Sequence, residues 1–68
     1  MTVASKVESA LVSLKAIEAS LLSLSLKTKE QEASEAFRQA ALKTRSVVDE
    51  VQKRKQEIEF QEPQYEPQ

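Results

Sequence analysis

The side chains here that could do chemistry are carboxylates, lysines, serines and a single tyrosine. Glu32 and Glu35 share one face of any helix that carries them, and Asp49 and Glu50 are adjacent. A carboxylate-bridged di-metal site normally adds a Glu-x-x-His from facing helices. The chain has no His, so a solvated acidic face is the better reading. Ser, Lys and Tyr occur at no spacing that suggests an activated nucleophile. With no Gly there is no phosphate-cradling or oxyanion loop, and with no Cys there is no thiol, disulfide or thiolate metal site. The residues therefore read as a non-enzyme with no metal and no cofactor.

Ten basic and eleven acidic residues leave a formal net charge of −1. A near-neutral chain offers no global field to nucleic acid. Lys43, Arg45, Lys53, Arg54 and Lys55 could form a basic patch, but Glu50, Glu57 and Glu59 interrupt it. No aromatic residue is interleaved to stack on bases. Ion pairs, within a helix or between subunits, explain these residues better. No secretory leader is read, and no apolar run approaches the roughly 18 residues of a membrane span. The Leu-rich segment 21–26 could lie in a membrane interface, but few Lys or Arg accompany it. Cytoplasmic location is expected, with no transmembrane segment, no peripheral membrane contact and no nucleic-acid partner.

Two helices must position whatever the chain does. Val3, Val7, Ala10, Leu14, Ile17, Leu21 and Leu24 follow at spacings of four and three, which predicts a helix over about 3–26. Thr2 stands where an N-cap would. Ser9, Ser13, Ala16, Ser20 and Ser23 form a parallel line of small residues. They suit either close approach by a neighbour or a solvated face. Leu11, Val12, Leu22 and Leu26 lie off the main stripe, so this helix is expected to have more than one neighbour.

A turn is expected over about 27–30. Thr28 and Gln31 read as a capping box opening the second helix. Lys27 and Lys29 before the turn, and Glu30 and Glu32 after it, complement the helix dipoles. One straight helix through this segment is the rival reading. The second helix is placed over about 30–60. Its stripe is Ala33, Phe37, Ala40, Thr44, Val47, Val51 and Ile58, widened by Ala36, Ala41 and Val48. Its last two or three turns are expected to overhang the first helix. Pro63 is expected to stop it, leaving 61–68 as an extended or disordered tail. In that tail Tyr65 could anchor a partner contact.

The expected fold is all-α: an antiparallel helical hairpin, too small to be stable alone, pairing as a homodimer into a four-helix bundle of coiled-coil character. Its oligomer core is expected at Val7, Leu14, Ile17, Leu21, Leu24, Phe37, Val47 and Val51. The rival function is a small chaperone or adaptor that binds an amphipathic helix of a client.

The order and spacing of several pieces resemble a known family. They are Met1-Thr2-Val3, Ser13-Leu14-Lys15, Ala19-Ser20-Leu21, Thr28-x-x-Gln31-Glu32-Ala33, Phe37-x-x-Ala40 and Glu62-Pro63-Gln64-Tyr65. Together they resemble the small proteins of the domain-of-unknown-function 1657 family of spore-forming bacteria. Ala16 departs from the Gly that many members would carry there. The resemblance implies a non-enzymatic helical protein of sporulating cells, located in the cytoplasm, forespore or spore. It also implies a role in spore formation, resistance or germination, with a spore-associated protein as a possible partner.

Overall fold

The computed structural model describes residues 2–65. Two helices account for nearly all of them: α1, Val3–Lys27, and α2, Gln31–Tyr65. The chain reverses between them, so the two helices pack antiparallel in a narrow rod of 56 × 17 × 9 Å. One continuous helix is thereby excluded.

Thr2 opens α1 as expected. Its backbone is extended, and its Oγ1 accepts the Ser5 N–H at 3.0 Å. Thr28 does something other than the expected capping box. Its ψ of 126° takes it out of helical geometry, and its N–H and hydroxyl both donate to the Leu24 carbonyl, at 2.9 and 2.6 Å. Thr28 therefore closes α1. The second helix opens two residues later, with the Ser34 N–H donating to the Glu30 carbonyl at 2.9 Å. Lys27 in the last turn of α1 and Glu32 in the first turn of α2 both match their helix dipoles.

A hydroxyl ties the hairpin at its turn. Ser34 Oγ donates to the Ser25 carbonyl at 2.6 Å. That carbonyl lies in the last turn of α1, where it has no intrahelical donor. Ser25 is itself buried, and its own hydroxyl turns back to the Leu22 carbonyl at 2.7 Å. At the other end the expected stop at Phe60 is not observed, since α2 runs through Pro63 to Tyr65. A proline's fixed φ is itself helical; what it lacks is the N–H to the carbonyl four residues earlier. That carbonyl belongs to Glu59 on an exposed stretch, where water can satisfy it. Residues 61–65 are thus helix, and the rest of the expected tail, 66–68, lies outside the described residues.

Two ion pairs across the seam set the register: Glu18 with Arg45 at 3.6 Å and Glu8 with Lys55 at 3.0 Å. They place the start of α1 level with Phe60, so only about one turn of α2 overhangs, less than the two or three expected. The side chains meeting at the seam are Ala4, Val7, Leu11, Leu14, Glu18, Leu21 and Ser25 from α1. From α2 they are Ser34, Phe37, Ala41, Thr44, Val48, Val51, Lys55 and Ile58. Of these only Leu11, Ala41 and Val48 are buried hydrophobics, each 2% exposed.

Candidate functional site: an apolar flank on the hairpin

Three buried apolar side chains, one of them an alanine, make a small core. Fully burying a Leu or Val contributes about 1.5–3 kcal/mol. Single cores of this size rarely sustain a domain alone. The remaining apolar residues are therefore the informative ones.

Their arrangement follows from helix geometry. Seam residues repeat every seven positions in two columns per helix. In α1, one column is Ala4, Leu11, Glu18 and Ser25; the other is Val7, Leu14 and Leu21. The apolar stripe read from the sequence shares only the second column. Its other half, Val3, Ala10, Ile17 and Leu24, lies one column outward, a rotation of about 60° at 3.6 residues per turn. Those residues are exposed: Val3 by 57%, Ile17 by 50% and Leu24 by 44%. In α2 the same displacement occurs. Phe37, Thr44, Val51 and Ile58 are half-buried at the seam, while Ala33, Ala40 and Val47 lie one column outward, with Val47 48% exposed.

Antiparallel pairing brings the outward columns of both helices to the same side of the hairpin. The ion pairs across the seam lie on the opposite side. There Arg45 meets Glu18 and Asp49, and Lys55 meets Glu8 and Glu59 at 3.0 and 3.1 Å. The ion pairs across the seam thus lie on one flank, which also exposes Val12, Leu22, Leu26 and Leu42; the open flank exposes Val3, Ile17, Leu24 and Val47 and ends on α2 at Arg54 and Gln61. Sequence reading placed every member of this open flank in one stripe with Val7, Leu14 and Leu21, without separating the residues that face the other helix of the chain from those that do not. It treated Leu11, the most buried residue of α1, as lying off the stripe. The signal that would have placed Leu11 is polar: Glu18 and Ser25 fall in its column and mark the less apolar edge of each helix.

Of the eight residues expected in an oligomer core, Val7, Leu14, Leu21, Phe37 and Val51 face the seam half-buried, and Ile17, Leu24 and Val47 stand on the open flank. Tyr65 is the last residue of α2. The basic residues of α2 are largely neutralised. Arg38 pairs with Glu35, and Arg54 with Glu50 and Glu57 at 3.5 and 3.3 Å. The two hydrogen-bonded carboxylates of Glu8 and Glu59 raise the pKa of Lys55 above its ordinary value, against a smaller opposing effect of desolvation. Among the described residues no three His, Cys, Asp or Glu side chains are grouped to hold a metal ion.

One expectation needs correction. Read by uninterrupted apolar runs, the chain has no membrane-spanning segment. Yet α1 as a whole is long and apolar enough to cross a membrane by length and composition, because Lys15 and Glu18 are its only charges over a long stretch. Crossing would carry Lys15 and Glu18 into hydrocarbon, at roughly 2.5–3.5 kcal/mol for a charge near the centre. It would also separate Glu18 from Arg45.

The geometry defines an all-helical antiparallel hairpin whose cross-seam ion pairs lie on one flank. A family model described as a protein of unknown function (DUF1657) matches residues 7–54, which span most of both helices and the turn. The chain belongs to that family. No curated protein and no solved structure matches it.

Proposed function

We propose that the protein is a non-enzymatic interaction protein whose working form is two hairpins joined as a four-helix bundle. One observation carries this reading: the apolar stripes of both helices are displaced from the seam toward the same open flank. A helix serving a single neighbour centres its stripe on that neighbour. A helix in a four-helix bundle has two neighbours and aims its stripe between them. The half-buried column of Val7, Leu14, Leu21, Phe37 and Val51 would then become the bundle centre, and Ile17, Leu24 and Val47 would be covered. A role in spore assembly or a spore-membrane complex follows from the family resemblance alone.

Light scattering at micromolar concentration tests the reading, with twice the chain mass expected. Ile17→Lys should abolish the dimer, since this residue stands on the open flank. Val12→Lys is the control. Val12 is 61% exposed on the side of α1 away from the open flank, and its replacement should leave the dimer intact. A folded monomer that dimerises in no variant would defeat the proposal. A monomer that gains order only with an added amphipathic helix would favour the chaperone or adaptor instead.

A further inference from the structure

The open flank is asymmetric, and its asymmetry dictates how two copies meet. On that flank Leu24 of α1 stands level with the small Ala40 of α2, Ile17 stands level with Val47, and Ala33 lies nearer the turn. Bulky side chains pack best where small ones leave room. The outer edges of the flank carry charge. Lys6 stands on the α1 edge and makes no ion pair among the described residues, while Glu50 and Glu57, which share Arg54 within their own helix, stand on the α2 edge.

Two face-to-face arrangements keep all neighbouring helices antiparallel. In one, the two-fold axis runs along the helices, both turns lie at the same end, and α1 of each copy covers α2 of the other. In the other arrangement, the axis crosses the helices, the turns lie at opposite ends, and α1 covers α1. The crossed arrangement, with the paired helices in full overlap, sets Lys6 near the other copy's Lys27. The first arrangement seats Leu24 over Ala40 and Ile17 over Val47, in the register that Glu18–Arg45 and Glu8–Lys55 set within the hairpin. It also brings Lys6 opposite Glu57.

Resting on the dimer reading above, we infer that two copies associate about an axis parallel to their helices. Both turns then lie at one end, and Lys6 of each copy faces Glu57 of the other.

The test is a pulsed electron-spin distance measurement on the full chain carrying a spin label at Lys29→Cys, an exposed position in the turn. The parallel-axis dimer predicts a separation below about 30 Å. The crossed dimer predicts about 40 Å or more, the length of the paired helices at 1.5 Å per residue. A charge exchange supplies the second arm. Lys6→Glu and Glu57→Lys should each raise the dimer Kd about two- to fivefold, the range of an exposed ion pair, and the double variant should restore it. The long distance, or a dimer tightened by Lys6→Glu, would overturn the arrangement while leaving dimerisation intact. A monomer by light scattering would overturn both.

Discussion

Ser34 and Lys55 each join the two helices through a polar contact. Ser34 Oγ satisfies a carbonyl of α1 that has no other donor within its helix. Ser34→Ala should lower stability by about 1–2 kcal/mol, because a partly buried acceptor is left unpaired. Denaturant unfolding would show this as a shifted midpoint with an unchanged slope; an unaltered midpoint would mean that water replaces the hydroxyl freely. Lys55 ties the start of α1 to α2 through Glu8. Its pKa is raised in the folded state, so its contribution is fully present below the ordinary lysine value and lost as pH rises through the folded one. Stability should therefore fall across the alkaline range, and Lys55→Met should flatten that part of the profile. Among apolar residues, Leu11→Ala should cost roughly 2–5 kcal/mol. Leu26→Ala, at a side chain 87% exposed, should change stability by less than about 0.5 kcal/mol. Similar losses at the two sites would mean that Leu11 is not the centre of the seam.

At the scale of the helices, periodicity was a reliable guide to existence and a poor one to orientation. Both helices, their antiparallel reversal and the start of α1 at Thr2 were legible from spacing and capping chemistry. The rotation of each helix was not. A stripe of apolar residues points to the average direction of its neighbours, and with more than one neighbour expected it does not say which residues face the other helix of the same chain. Leu11, Ala41 and Val48 were therefore placed beside the core when they form it. The Thr28-x-x-Gln31 pattern misled for a different reason. A threonine between two helices can close one or open the next, and only its hydrogen bonds to Leu24 decide. Pro63 misled because proline in a last turn loses one hydrogen bond that water can replace. The position of the reversal makes a test. Inserting Gly-Gly between Lys29 and Glu30 lengthens an existing turn and should lower stability by less than about 1 kcal/mol. The same insertion between Ala16 and Ile17 would rotate half of α1 off the seam and should abolish cooperative unfolding. Equal effects would contradict the reversal.

The whole molecule has two unlike flanks, and they govern different properties. Ion pairs such as Arg45–Glu18 and Lys55–Glu8 bridge the helices on one side, where water screens them. The proposed dimer uses the other side, where among the described residues no ion pair crosses between the helices. Salt should therefore leave the proposed dimer largely intact, while the isolated contribution of the charged flank weakens. Thermal unfolding at low and high ionic strength, read against protein concentration, separates the two. A midpoint that rises with concentration at every salt level is the expected result.

The turn through Thr28 has no residue with positive φ, and the chain has no glycine anywhere. That has a bearing on the denatured ensemble. Glycine widens the range of conformations open to an unfolded chain, and folding must then give up that freedom. A sequence that reverses direction with side-chain-bearing residues alone begins from a narrower ensemble. Lys29→Gly would leave every contact of the hairpin in place. It should nonetheless lower stability by about 0.4–1 kcal/mol, with no change in helix content, because the difference arises before folding begins.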